Sequence, residues 1–302
     1  MVTAVVLSGG GSLGAVQVGM LLGLSDRHIT PDLLIGSSVG ALNAAYLAGH
    51  PGHQGVSALA EIWNRLQRAD VFPTNAPRVL RAMTGRTNGI ADPRPLRRLV
   101  ETHLPYRRLE AAPWPVAVVA TEVLSGREVV LSAGPAIDAV MASAALPAVF
   151  PPVMVDENLL MDGGVVNNTP ISVATGLGAD TVYVLPTGYA CALARAPRSA
   201  LGMAMHAVTI AIQQRLVADV TAFQDRVDLR VAPPLCPLGV SPVDFRRSSA
   251  LIDRARAATR SWLERPVVAD QASYLTVHRH DPVTAHSHEK EGHDTSVAPV
   301  RR

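Results

Sequence analysis

Between Leu34 and Ala45 the chain reads LIGSSVGALNAA, an apolar run that breaks at Gly36-Ser37-Ser38-Val39-Gly40 and resumes as a small-residue stretch suited to a helix. A serine at such a strand-to-helix turn is held in a strained backbone conformation that lifts its hydroxyl above the sheet. Glycines two residues to either side remove the Cβ atoms that would clash there. The feature demands a buried strand before it and a helix after it, which points to an α/β fold. Ser38 is the candidate nucleophile, with Gly36 and Gly40 shaping its turn.

Val2 to Ser8 reads as a first buried strand, because Val5, Val6 and Leu7 run continuously apolar, as in a parallel sheet covered on both faces. Gly9-Gly10-Gly11-Ser12-Leu13-Gly14 ends it and opens a helix through Leu22. Backbone amides at a helix N-terminus can stabilise negative charge. Gly9, Gly11 and Gly14 also match the dinucleotide-binding pattern GxGxxG. That reading fails on its acidic residue, since Asp32 precedes the second strand, Leu33 to Ile35, instead of following it.

Further strands are expected at Val116 to Thr121, Glu128 to Leu131, Thr181 to Leu185 and Val227 to Val231. Helices are expected at Ala41 to Gly49, Val56 to Leu66, from Asp92-Pro93 through Leu104, and at Pro135 to Ala145, Leu201 to Phe223 and Ser248 to Leu263. Phe72 to Gly89 reads as a Pro, Gly and Thr-rich connection. The apolar segment Leu159 to Met161 delivers Asp162 onto the glycine turn Gly163-Gly164. A carboxylate so placed suits a general base, because partial burial raises its basicity above the ordinary pKa of about 3.9.

The chain has 302 residues, 48% of them hydrophobic, enough for a sizeable core. Its formal net charge is only +2 and aromatic residues are 4%, which argues against nucleic-acid binding. Arginine carries nearly all the positive charge, Lys290 being the only lysine. From Arg78 to Arg108 arginines greatly outnumber the acids Asp92 and Glu101, so this segment is a candidate contact for an anionic membrane surface. Cys191 and Cys236 fit neither a metal nor a redox spacing, and a reducing, cytoplasmic setting is expected. The opening MVTAVVLSGGG is not a signal peptide, and no apolar stretch reaches the roughly 20 residues of a membrane span. A hydrolase domain is expected over residues 1–265, with a cap-like segment at 52–109 and a polar, His-rich, disordered tail at 266–302. The tail histidines, His278 to His293, do not have the spacing of a zinc site, and no metal or cofactor is expected.

The Gly9–Gly14 loop, the Gly36–Gly40 elbow, Ala142-Ser143-Ala144-Ala145-Leu146-Pro147 and Asp162-Gly163-Gly164, in that order, resemble the patatin-like phospholipase family from about Thr3 to Pro234. The resemblance implies a three-layer α/β/α sandwich with a mainly parallel central sheet, and hydrolysis of lipid acyl esters by a Ser-Asp dyad. By the motif match Ser38 is the nucleophile and Asp162 the base. It also implies an oxyanion hole from the amides of Gly10 and Gly11, with Gly9 shaping the loop. Leu13 stands where the family commonly has Arg or Lys. Two other readings are an esterase with a Ser38, Asp162, His206 triad and a non-catalytic lipid-binding protein. An α/β-hydrolase elbow follows several strands, whereas one strand precedes this one, and His206 falls inside a helix.

Overall fold

The computed structural model describes residues 1–188, 196–236 and 238–275. Eight strands form one sheet: β1 (Thr3–Leu7), β2 (Leu33–Ser37), β3 (Val116–Glu122), β4 (Glu128–Leu131), β5 (Val153–Val155), β6 (Asn158–Asp162), β7 (Thr181–Leu185) and β8 (Asp228–Val231). Their order is β5-β6-β3-β2-β1-β7-β8, with β4 also paired to β3. The centre is parallel, and β4, β5 and β6 join antiparallel.

The helices are α1 (Gly14–Ser25), α2 (Val39–Gly49), α3 (Gly52–Arg65), α4 (Arg68–Val71), α5 (Ala76–Met83), α6 (Arg94–His103), α7 (Ala136–Ser143), α8 (Ile171–Gly176), α9 (Ala200–Phe223) and α10 (Ser248–Leu263). Alternation along each strand divides the core. Val5, Leu7, Leu34, Tyr183 and Leu185 face a layer built from α1, α2, α3 and α10. Ala4, Val6, Ile35, Val182 and Val184 face α8, α9 and the segment ending at Leu275. Burial on both faces is why these strands read as unbroken apolar runs, and the result is a three-layer α/β/α fold.

The register on β3 brings the site together. β4 occupies one edge of β3 over Val118 to Thr121. The other edge is shared: β2 pairs as far as Ser37 opposite Val119, and β6 ends with Asp162 opposite Ala120. Two strands distant in sequence therefore arrive from opposite directions and meet end to end. Ser38 and Asp162 are the residues at that junction.

The structure differs from the sequence expectations at α4, which they do not include, and in three further places. The connection from Phe72 to Gly89 contains α5, whose N-terminus is capped by the Asn75 side chain accepting the Arg78 N–H at 2.9 Å. Order continues beyond Pro266: Gln271–Leu275 forms a 3-10 turn, and Leu275 is buried against the sheet. The short strand β5 completes the β6 edge. Cys191 and the tail from residue 276, with its histidines, lie outside the described residues. Among the described residues no helix is long and apolar enough to cross a membrane.

Candidate active site

Ser38 links β2 to α2 with φ 55° and ψ −124°. A side chain in this region of backbone space stores strain of roughly 1–3 kcal/mol. The elbow closes so tightly that a Cβ on Gly36 would collide with the Gly40 carbonyl, and one on Gly40 with the carbonyl of Leu7 on β1. Both positions are therefore restricted to glycine by close backbone approach.

Asp162 closes β6. Its Oδ2 accepts the Ser38 Oγ–H at 2.6 Å, and its Oδ1 accepts the Gly164 N–H at 2.7 Å. The residue is 2% exposed. Burial pushes its pKa from 3.8 up to about 6, while the Ser38 and Gly164 hydrogen bonds oppose the rise. Gly163 passes so close to the Val119 carbonyl that a Cβ has no room. The Asp-Gly-Gly turn thus fits against β3 beside the elbow.

Ser143, at the end of α7, braces both partners. Its Oγ accepts the Ser38 N–H at 3.0 Å and donates to the Val119 carbonyl at 2.5 Å. Two residues on, the Ala145 carbonyl accepts the Asp162 N–H at 3.0 Å. The motif Ala142 to Pro147 thereby fixes the backbone on each side of the serine–aspartate pair.

The glycine loop lies alongside, and a Cβ placed on Gly9 would stand 3.1 Å from that of Ser38. The Gly9 carbonyl accepts from Thr187 Oγ1 at 2.7 Å and from Asn168 Nδ2 at 3.4 Å, while the Gly9 N–H donates to the Asn168 carbonyl at 3.0 Å. Among the described residues, the N–H groups of Gly10 and Gly11 meet no acceptor. Gly11 has φ 60°, and the following Ser12 N–H donates to the Pro242 carbonyl at 2.7 Å. At Gly14 any Cβ would strike Val39, so α1 and α2 start in contact.

Beneath this loop runs a buried polar chain. Gln17 Nε2 donates to the Ser8 carbonyl at 2.7 Å, and Asn43 Nδ2 donates to Gln17 Oε1 at 3.0 Å and to the Gly14 carbonyl at 3.2 Å. Trp63 Nε1 completes it with a 2.9 Å bond to Asn43 Oδ1. Loop, elbow helix and α3 are locked to one another by satisfied hydrogen bonds in a buried environment, where each is stiffening.

Every residue selected from the sequence for the dyad and its glycine turns, Ser38, Asp162, Gly9, Gly10, Gly11, Gly14, Gly36, Gly40, Gly163 and Gly164, lies in this one constellation. His206 sits half-buried on α9, and Ser38 meets Asp162 with no imidazole between them. Sequence reasoning assigned no role to Ser143, Asn168 or Thr187. A signal existed for Thr187, which follows the C-terminal end of a parallel strand, where open α/β sheets place their sites.

The family model described as patatin-like phospholipase matches residues 5–175. Patatin-like phospholipase domain-containing protein 7 of Rattus norvegicus is 29% identical over 194 residues, which cover 61% of this chain and 13% of that protein. An uncharacterised NTE family protein of Mycobacterium tuberculosis is 29% identical over 178 residues, 59% of this chain and 46% of its own length. The chain thus spans a minor part of the rat protein and less than half of the mycobacterial one. Among solved structures, the crystal structure of VipD from Legionella pneumophila aligns over 87% of this chain and 66% of its own, at 14% identity and a TM-score of 0.45.

Proposed function

The chain belongs to the patatin-like phospholipase family, and from that premise we propose that it is a serine-dependent lipid acyl hydrolase working through Ser38 and Asp162. The observation that carries the reading is the 2.6 Å hydrogen bond from Ser38 Oγ to a buried carboxylate. An alcohol donating directly to a desolvated base is an activated nucleophile in waiting.

In the first half-reaction Ser38 Oγ attacks the ester carbonyl carbon while its proton passes to Asp162 Oδ2. The negative charge that develops on the carbonyl oxygen is taken up by the Gly10 and Gly11 amides. Collapse of the tetrahedral intermediate breaks the ester bond, and Asp162 returns the proton to the departing alcohol. A water molecule, deprotonated by Asp162, then attacks the acyl-serine. The fatty acid leaves and the proton goes back to Ser38.

Preorganised amides of this kind matter because loss of one such donor typically costs about 10² to 10³ in turnover. The scheme needs no metal or organic cofactor, and activity is expected to persist in chelator. The substrate class is a phospholipid, lysophospholipid or related carboxylic ester, and the cysteine usage supports a cytoplasmic setting.

Labelling with a fluorophosphonate probe tests the reading. Wild type is expected to label on the peptide holding Ser38, Ser38→Ala not at all, and Asp162→Asn far more slowly. A folded wild type that fails to label would move the chain to the non-catalytic lipid-binding reading.

A further inference from the structure

We propose that α5 is a docking element for an anionic lipid bilayer, presenting Leu80 and Met83 to the acyl boundary and Arg81 and Arg86 to the headgroups. The inference rests on the lipid-hydrolase reading only for its purpose, because binding is measured without turnover.

A helix on a protein surface normally turns its apolar stripe toward the core. In α5 the apolar residues Ala76, Val79, Leu80 and Met83 recur at the i, i+3, i+4 and i+7 positions that make one stripe. Leu80 is nevertheless 63% exposed and Met83 80%, and the helix buries none of its residues. On the opposite side Arg78 is half-buried, its Nε donating to the Gly89 carbonyl at 3.1 Å. The side of the helix that meets the protein is formed by Arg78, Val79 and Ala82, which leaves Leu80, Arg81 and Met83 on the solvent side.

The helix is also firmly seated. Asn75 caps its start, Thr84 Oγ1 bonds the Leu80 carbonyl near its end, and Thr74 pairs with Ala91 across its base. The base in turn is tied to the catalytic side of the molecule, since the Ile90 and Ala91 N–H groups donate to the carbonyls of Ala148 and Val149 at 3.1 and 2.9 Å. Those acceptors follow closely on Ala145, whose carbonyl holds the Asp162 amide.

Charge identifies the occupant. From Val71 through Ala91 the chain contains Arg78, Arg81 and Arg86 and no acidic residue. The arginine excess expected over Arg78 to Arg108 is cancelled in part farther along: Arg94 pairs with Asp92 at 2.6 Å, Arg97 with Asp138 at 2.7 Å and Arg108 with Glu110 at 2.6 Å, while Arg98 and Arg107 are exposed and make no ion pair among the described residues. Arg81 and Arg86, both exposed, have no ion-pair partner among the described residues. Arg81 and Arg86 therefore place uncompensated charge on the same short hairpin as the exposed Leu80 and Met83, the combination that holds a helix in the interface of an anionic bilayer. A second copy of the chain is disfavoured as occupant, because it would bring the same arginines face to face.

Vesicle flotation decides the matter. The full chain carrying Ser38→Ala is mixed with vesicles of equal parts phosphatidylcholine and phosphatidylglycerol, or of phosphatidylcholine alone. Flotation with the anionic vesicles only, weakened by salt, is expected. The double substitutions Leu80→Asp with Met83→Asp, and Arg81→Glu with Arg86→Glu, should each weaken it by about tenfold or more. In the Ser38 background both should hydrolyse a soluble short-chain ester at the wild-type rate, which separates docking from chemistry and from folding. Wild-type flotation by both double variants, equal binding to neutral vesicles, or no flotation of the parent would overturn the proposal. So would a parent dimer, seen by sedimentation velocity, that the Leu80/Met83 variant loses.

Discussion

Thr187 Oγ1 donates to the Gly9 carbonyl at 2.7 Å. In a trans peptide the carbonyl of one residue and the N–H of the next point in opposite directions. Fixing the Gly9 oxygen therefore fixes the direction of the Gly10 N–H, one of the two proposed oxyanion donors. Thr187 is buried and its own N–H is held by Ser8 Oγ at 3.0 Å, so it makes a rigid peg.

Thr187→Val keeps the shape and removes the hydroxyl. We expect kcat to fall by roughly ten- to a hundredfold, less than the loss of a donor itself, with KM little changed. Thr187→Ser should restore most of the rate. Steady-state kinetics on a soluble ester would show it, and equal losses in the Val and Ser variants would mean packing rather than peptide orientation is at stake.

In the proposed mechanism Asp162 has to be ionised to take the Ser38 proton, and burial pushes its pKa up to about 6. The quotient kcat/KM should rise with pH through about 6 and vanish below it. A pH profile whose acid limb lay near 4 would mean that the working base is a solvent-exposed carboxylate.

The same shift bears on stability with the opposite sign. Asp162 binds its proton more tightly folded than unfolded, so its contribution is fully present below about pH 4 and is lost as pH rises through about 6. Above that, the buried charge costs about 3 kcal/mol for a shift of about two pH units. Asp162→Asn keeps an acceptor for the Gly164 N–H and removes the charge. It should abolish hydrolysis and raise Tm at pH 8, with less gain at pH 4. Calorimetry at the two pH values checks this, and a lower Tm at both would refute it.

Ser143→Ala leaves the Ser38 N–H and the Val119 carbonyl without a partner in the buried wall of the site. An unsatisfied buried group costs about 1–3 kcal/mol. The variant should melt several degrees lower and lose turnover as the elbow relaxes. Wild-type melting and rate would show that water replaces the hydroxyl at no cost.

The central strands were legible because burial on both faces leaves an unbroken apolar signature, and the elbow because glycine is required wherever backbones touch. Gly36, Gly40 and Gly163 bear this out, each facing a carbonyl oxygen. The helix α5 was hidden because its stripe is short, interrupted by Pro77 and Arg78, and faces solvent, so no burial pattern accompanies it. Thr187 follows a strand end and Ser143 lies in a recognisable motif, yet the supporting contacts of both, and of Asn168, were illegible for a different reason. They act on backbone atoms of residues far away in sequence, and a contact to a peptide group leaves no trace in the identity of its partner. The ion pair of Arg97 was likewise hidden by distance in sequence, since Asp138 meets it from another helix.

The end-to-end meeting of β2 and β6 on β3 also dictates when in the life of the polypeptide the site comes into being. The strands and helix of the elbow lie within the first fifty residues or so, but the proposed base, Asp162, is seated opposite Ala120 only after β3 is in place. Pairings so distant in sequence close late, because loop entropy has to be overcome first. On the proposed mechanism, a nascent or truncated chain is therefore expected to carry a serine with no base beside it, and to stay inactive until β3 and β6 have paired.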